Sequence, residues 1–314
     1  MSENKTTIYD VGIIGAGPAG ISAAIYTARA GLKTLVLGNP YESQVAELGL
    51  IENYAGFAQG VQGLELAESM DKQAKANGAK VIYEQVIEIK QDNKKYVLKS
   101  DEDESYNTKS LILAMGSRHR KMRIPGEDEY YGKGVSYCAV CDGSLYRGKP
   151  TAVLGHGNGA AKAVLYLSNI SSKVYLLCNR KELGADAIYE FRLKQLENLE
   201  AHYLSRVTDI KGNDYAESLV YKEKGQEKKI DVEGIFIEFG SVPNTLLAEQ
   251  LNLEVNEKGF IITDPETKAT NKKGIYAAGD VCGNIRQIAT AVGDGCIAAY
   301  SVQDYLREEK DLGK

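Results

Sequence analysis

Two stretches of the chain repeat one pattern of apolar and polar positions. VGIIGAGPAGISAAIYTARAGLKTLVLGN, from Val11, runs from an apolar strand through a glycine loop into a helix, then into a second apolar strand. AVLGHGNGAAKAVLYLSNISSKVYLLCN, from Ala152, does the same. The two superpose without a gap at a constant offset of 140 residues, so that Gly15 matches Gly155 and Gly17 matches Gly157. Ala23, Tyr26, Lys33, Leu37 and Asn39 fall on Ala163, Tyr166, Lys173, Leu177 and Asn179. Each copy is the βαβ unit whose loop cradles a dinucleotide pyrophosphate. In the first loop Gly15 makes the tight turn, Gly17 lets the backbone approach the pyrophosphate, and Gly20 brings helix against strand; Pro18 and Ala19 complete it. A lone GxGxxG is often just a glycine-rich turn, but two copies in the right setting predict two Rossmann-like domains. The second copy ends in Ala160, which keeps the signature and leaves its occupancy a separate matter.

The rest of the chain reads as strands and turns. VIYEQVIEIKQ and KYVLKS flank the turn DNK and predict a hairpin. The acidic DEDESYN reads as a solvated turn before the apolar strand SLILAMG. SRHRKMRIPGE, with Pro125 and Gly126 as breakers, reads as a linker leaving the first domain. GIFIEFGSVPN is a strand running into a loop, GIYAAGDV a strand ending in small residues, and IATAVGDGCIAAYSVQDYL a helix. The sum is an α/β fold.

Composition adds limits. A length of 314 residues suits two domains. With 43% apolar and 26% charged residues the chain is ordinary for a globular protein. Its 38 Lys plus Arg against 43 Asp plus Glu give a net charge of −5, which offers no whole-chain attraction to nucleic acid or an anionic membrane. No apolar run approaches the roughly 18 residues of a membrane span. The polar start MSENKTTIYD lacks signal-peptide features, so a cytoplasmic protein is expected.

The candidate chemistry lies in SYCAVCDGSLY, Ser136 to Tyr146. Cys138 and Cys141 could be a redox-active disulfide, half of a zinc site, or two small buried residues. In a reducing compartment a CxxC is more often catalytic or metal-binding than a staple. Zinc needs two more ligands, and Cys178, Cys282, Cys296 and three scattered histidines form neither a second CxxC nor a short His pair. No metal site is assigned. Those three cysteines sit in apolar or Gly/Ala-rich contexts and read as buried.

Taken in order, GAGPAG at Gly15, ENYAGF at Glu52, LILAMGS at Leu111, IPGE at Ile124, CAVCDG at Cys138, GHGNGA at Gly155 and FGSVPNT at Phe239 form one pattern. GIYAAGDV and RQIATAVGDGCIAA complete it. The pattern resembles the low-molecular-weight thioredoxin reductase family over almost the whole chain. The resemblance implies an FAD domain made from residues 1–120 and 245–314, interrupted by an NAD(P)-type domain, 121–244, that carries the CxxC. It implies FAD on the loop Gly15–Gly20, with Gln44, Asn53 and Asp280 among its contacts and Arg286, Gln287 and Ala289 along the isoalloxazine. Cys138 and Cys141 then pass electrons from the flavin to thioredoxin. Such exchange needs a thiolate, and CxxC spacing near a helix start lowers a thiol pKa. Asp142 is placed to trade a proton with the leaving thiolate, or else caps a helix. The family is typically homodimeric.

Some positions depart from the family pattern. LVLGNPYESQ has no acid at its strand tip for the adenosine ribose, the usual glycine pair before Gln44 is absent, and Met115 stands where threonine is common. NADPH users in the family carry HRRxxxR after the second strand of the insert. The aligned run here is Cys178 to Gly184, in which Arg180 remains while Asn179 and Gly184 replace two arginines. One guanidinium, with Lys181 beside it, holds a doubly charged phosphate weakly. No acid at that tip favours NADH either, and His156 crowds the pyrophosphate position.

These departures resemble the subset of the family that lacks the clamp, such as flavin-dependent ferredoxin–thioredoxin reductase, and imply reduced ferredoxin as the donor. RHRKMR, Arg118 to Arg123, holds four fixed positive charges and His119, which either steer an acidic ferredoxin or simply solvate a linker. An NAD(P)H-dependent thioredoxin reductase and an oxygen-using dithiol oxidase are the alternatives. A ferredoxin–NADP reductase generally lacks the cysteine pair, and a non-catalytic FAD- or metal-binding protein leaves the complete CxxC-Asp unexplained.

Overall fold

The computed structural model describes residues 7–92, 95–283 and 285–312. Its helices are α1 (Pro18–Arg29), α2 (Gly63–Ala76), α3 (Ala139–Asp142), α4 (Gly157–Ser168), α5 (Ala187–Leu193), α6 (Leu246–Gln250) and α7 (Ile288–Leu312). By contacts the chain divides into one unit of Met1–Arg118 with Val242–Lys314 and a second of His119–Ser241.

In the first unit the strand Ile8–Ile14 ends in four consecutive buried residues, as a parallel strand covered on both faces should. It pairs in parallel with Thr34–Leu37 on one side and Ser105–Leu113 on the other. Lys80–Ile82 extends the sheet beyond Thr34–Leu37. The last residues of Ser105–Leu113 also pair in parallel with Ile275–Ala277, while its first residues meet the antiparallel hairpin Val86–Asp92 and Lys95–Ser100. Val11, Ile13 and Val36 join the small side chains of α1 and α7 in one core; Leu35, Leu37, Leu111 and Leu113 form another. Small residues let the two helices approach closely: a Cβ on Gly295 of α7 would lie 2.1 Å from the Ala19 carbonyl oxygen of α1.

The second unit repeats this order. Leu199–Tyr203, Lys173–Cys178, Pro150–Gly155, Gly234–Glu238 and Val135–Ser136 correspond in sequence across the sheet to Lys80–Ile82, Thr34–Leu37, Ile8–Ile14, Ser105–Leu113 and Ile275–Ala277. All pairings within this five-stranded sheet are parallel. Helix α4 packs on one face with Val153, Leu176 and Phe236; Leu154, Leu177 and Ile237 face the antiparallel strands Ser205–Gly212, Ala216–Glu223 and Gln226–Asp231. The repeat seen in the two βαβ segments thus extends through the strand order of both units, and the α/β class of two Rossmann-like domains is what the structure shows.

The linear reading differs in places. Residues 81–83 do not belong to the hairpin: Lys80–Ile82 is a separate strand of the parallel sheet, and the hairpin begins at Val86. Its turn residues Asn93 and Lys94 lie outside the described residues. Ser105, Tyr106 and Asn107 belong to the following strand, because antiparallel pairing with Lys95–Ser100 recruits positions that the linear reading leaves in the turn. Cys178 is fully buried, but Cys282 and Cys296 are only partly so. Among the described residues, no helix is long and apolar enough to cross a membrane.

Candidate functional site

The first glycine loop has the shape of a pyrophosphate cradle. Gly15 turns with φ +104°, and a Cβ there would sit 2.3 Å from the Ala114 carbonyl oxygen. A Cβ on Gly20 would fall 1.9 Å from the Gly15 carbonyl oxygen, so α1 meets its own strand more closely than any side chain permits. A Cβ on Gly17, the N-cap of α1, would meet nothing within 4 Å. The helix has no acidic residue in its first turn and no side-chain cap, leaving its amino-terminal amides to face that space. This tight-open-tight arrangement fits a dinucleotide phosphate on Gly15–Gly20.

Other candidate residues of the same unit converge. The Gln44 side-chain amide donates to the Ser117 carbonyl, and the Asn53 amide donates to the Gln287 side-chain oxygen at 3.3 Å. Asp280 lies in a short 3-10 turn, Gly279–Cys282, and a Cβ on Gly279 would touch the Ala19 side chain at 2.8 Å. That close approach carries the turn to the start of α1. Burial raises the Asp280 pKa to about 6, opposed by the Arg286 charge and reinforced by Asp294. Gly279 is held by a hydrogen bond from its amide to Asp294, which forms a buried 2.7 Å ion pair with Lys268. Ala289 lies in the first turn of α7.

The second unit carries the sulfur chemistry. Cys138 and Cys141 form a disulfide with Cα atoms 5.3 Å apart. Cys138 is the N-cap of the single-turn α3, and its sulfur accepts from the Cys141 amide at 3.2 Å. Asp142 makes no helix cap; its carboxylate accepts from the Ser136 hydroxyl at 2.6 Å, and the same hydroxyl oxygen accepts from the Cys138 amide at 3.0 Å. Burial pushes the Asp142 pKa up, with the Ser136 hydrogen bond opposing. A carboxyl biased toward its protonated form thus lies one residue from the disulfide. Ser136 carried no motif signal, and only the fold reveals it as the residue that positions the acid.

The linker from Arg118 to Glu127 is tied down in its second half. The buried Glu127 carboxylate accepts from the Met122 amide at 2.8 Å, the Arg123 amide at 2.6 Å and the Tyr137 hydroxyl at 2.7 Å. Arg120, Lys121 and Arg206 surround a cavity of about 220 Å³ over Leu154, Leu177 and Phe239, beside Asn179 at a strand tip. No acid lines it. Arg206 comes from Ser205–Gly212, the second strand after that tip, too far along the chain for the clamp motif to include it.

The second glycine loop is less open than the first. The Gly157 amide donates to the Leu183 carbonyl at 2.7 Å, and Asn158 exchanges two hydrogen bonds with Asp186, at 2.8 and 2.9 Å. The His156 ring lies edge-on to Phe239. Burial, then the charges of Arg180 and Arg120, lower its pKa, so it is neutral at pH 7. Among the described residues no three His, Cys, Asp or Glu side chains come together as a metal site. Burial also pushes the Cys282 thiol up to about 12, far from a reactive thiolate.

The family model described as pyridine nucleotide-disulphide oxidoreductase matches residues 9–295. The chain is 40% identical to a thioredoxin reductase of Bacillus subtilis (strain 168), covering 100% of this chain and 99% of that protein. It is 37% identical to one of Treponema pallidum (strain Nichols), covering 96% and 98%. Among solved structures, a thioredoxin reductase from Streptococcus pyogenes MGAS5005 matches with a TM-score of 0.89 at 35% identity, covering 96% of this chain and 99% of that one.

Proposed function

Because this chain belongs to the pyridine nucleotide-disulphide oxidoreductases, and among them to the low-molecular-weight thioredoxin reductase family, we propose that it passes two electrons from FAD through Cys138 and Cys141 to thioredoxin, with reduced ferredoxin rather than NADPH as donor. It is a flavoprotein disulfide oxidoreductase, and the first glycine loop fits its FAD. The observation that carries the reading is the Cys138–Cys141 disulfide with the half-buried, Ser136-held Asp142 next to it.

FAD, when bound, supplies the electron pair that opens the disulfide. The chain's own residues do the rest. The α1 amides and the space at Gly17 receive the phosphates, while Gln44, Asn53, Asp280, Arg286, Gln287 and Ala289 fix the remainder of the group. Once reduced, one of the two cysteines attacks the thioredoxin disulfide as a thiolate, and a mixed disulfide forms. The second then attacks that bond, which restores Cys138–Cys141 and frees a dithiol on thioredoxin. Asp142 gives its proton to the leaving sulfur, a role its raised pKa suits. We further take the functional assembly to be a homodimer, and residues 121–244 to be the domain that carries the exchange.

The donor reading rests on the strand tip, where Asn179 and Gly184 stand in place of clamp arginines. Arg120 and Arg206, at a cavity that no acid among the described residues lines, suit an acidic electron-transfer protein. They also support a second reading, NADPH use, since two guanidinium groups around an acid-free cavity could grip a phosphate. Anaerobic mixing separates the two. Excess NADPH should leave the yellow flavin largely oxidised, reduced ferredoxin should bleach it, and bleached protein should reduce thioredoxin. Rapid bleaching by NADPH would reverse the donor assignment.

A further inference from the structure

The first βαβ unit lacks the acid that a dinucleotide ribose meets at the end of the second strand, and the backbone there shows why. Gly38 follows Thr34–Leu37 with φ +147°, and a Cβ on it would lie 2.8 Å from the Ala16 amide nitrogen and 3.2 Å from the Gly15 Cα. The strand end is pressed against the phosphate loop, so no side chain can stand at that position. A carboxylate returns to it from further along the chain. The Asn39 side-chain oxygen accepts from the Tyr41 amide at 3.1 Å as the chain enters the single 3-10 turn Pro40–Glu42. The Asn39 side-chain amide then donates to the Glu42 carboxylate at 2.8 Å, and the Gln85 side-chain amide reaches the other carboxylate oxygen at 3.5 Å. Gln85 is itself fixed at this edge. The Gly38 amide donates to the Ile82 carbonyl at 3.0 Å, and the Gln85 backbone makes two 2.9 Å hydrogen bonds with Asp101.

We propose that Glu42 is the ribose-recognising residue of the FAD site: held at the strand end by Asn39 and Gln85, its carboxylate accepts a hydrogen bond from the adenosine 2′-hydroxyl. The inference rests on the assignment of FAD to the first loop and not on the identity of the electron donor. A dinucleotide whose pyrophosphate lies on Gly15–Gly20 carries its adenosine toward the end of the second strand, where a ribose hydroxyl needs an acceptor. Asn39 and Gln85 are neutral amide donors, and a carboxylate has about four acceptor sites, so these two contacts leave room for a hydroxyl. Asn39 also orients the carboxylate before any ligand arrives, which reduces the freedom lost on binding. The acid that position 38 cannot carry is thereby supplied from the turn.

The test uses the full-length chain stripped of FAD, with Glu42→Gln and Glu42→Ala variants. Glu42 is exposed, so its replacement leaves the core untouched. The probes are ADP, which carries the ribose and pyrophosphate of the FAD adenosine end, and 2′-deoxy-ADP, which lacks only the hydroxyl in question. A charge-assisted hydrogen bond is worth about 10- to 100-fold in affinity, so calorimetric titration should show wild type preferring ADP by that factor. Glu42→Ala should weaken ADP by about the same factor, leave 2′-deoxy-ADP unchanged and so abolish the preference. Glu42→Gln, which keeps a neutral acceptor, should retain part of it. FAD affinity, read by flavin fluorescence, should fall in the same order. Titrations of holoenzyme, whose first loop is filled, measure whatever the second loop takes and are subtracted. A wild type without the preference, a preference that survives in Glu42→Ala, or equal weakening of both nucleotides overturns the proposal. Failure of the wild-type chain to take up FAD refutes the FAD assignment itself; normal uptake with an unchanged ribose preference in the variants refutes this inference alone.

Discussion

Gly17 and Gly20 lie three residues apart in the same loop, yet substitution should separate binding from folding. Gly17 has φ −75° and ψ −175°, extended backbone that any residue adopts, and open space where its side chain would point. Gly17→Val therefore asks nothing of the fold. Reduced freedom of the unfolded chain stabilises by about 0.4–1 kcal/mol, and the weaker N-cap costs about as much. The apoprotein should keep its stability to within about 1 kcal/mol. FAD should not bind as before, because the new methyls occupy the phosphate space. Losing one charge-assisted amide contact is worth about 1.5–3 kcal/mol, or roughly 10- to 100-fold in affinity.

Gly20→Ala should do the reverse. Its Cβ would lie 1.9 Å from the Gly15 carbonyl oxygen, a backbone atom that cannot swing aside, so α1 must lift from the sheet. Overpacking of this kind costs about 1–3 kcal/mol. At about 2–4 °C per kcal/mol, the apoprotein melting temperature should fall by about 2–12 °C. Circular-dichroism melts of FAD-stripped protein, with flavin fluorescence titration, measure both quantities. If Gly17→Val retains wild-type FAD affinity, or destabilises the apoprotein as much as Gly20→Ala, the loop is not the cradle described.

Three further outcomes follow from the same geometry. Asp280 has a folded pKa of about 6 against 3.8 when free, so between those values the folded apoprotein holds more protons than the unfolded chain; stability should fall by ~3 kcal/mol as pH rises through that window, and Asp280→Asn should abolish that component in pH-dependent melts. A slope that persists unchanged in Asp280→Asn would assign it elsewhere. Asp142→Asn should leave flavin reduction intact while slowing thioredoxin reduction by about 10²–10⁴-fold in single-turnover assays; an equal effect on both half-reactions would deny it the proton-transfer role. Lys268→Met removes the cation of the buried Lys268–Asp294 ion pair and should cost about 3–5 kcal/mol in urea denaturation, whereas Lys268→Met with Asp294→Asn should recover much of it.

Much of the fold was legible because its signals are local. The paired glycine loops and the apolar runs around them lie within 30 residues and carry their own geometry, and CAVCDG holds both sulfurs and the acid in one short segment. What the linear reading lost was non-local. Lys80–Ile82 became a strand by pairing with Thr34–Leu37, and Ser105–Asn107 by pairing with Lys95–Ser100. Arg206 reaches the cavity beside Asn179 only through the fold, and Ser136 acts on Asp142 through a turn that no spacing rule describes. Glu127 was visible within IPGE, but not as the carboxylate that gathers the linker amides.

The repetition of one strand order within a single chain argues that ligand choice here was decided by a few atoms rather than by architecture. Both units have the sheet, the glycine turn and the helix aimed at the same place. In the first, the position beside the loop is an alanine and the space at Gly17 is open. In the second, one amide is spent on Leu183, and the strand-tip arginines are thinned. The parallel sheet of the second unit holds the segment bearing Cys138 and Cys141: Ser136 belongs to its edge strand, and Ala139 packs into the core beneath α4. The second copy is then a carrier for a dithiol. On the proposed donor reading its fold needs only to present sulfur, since the exchange chemistry itself requires no phosphate contact.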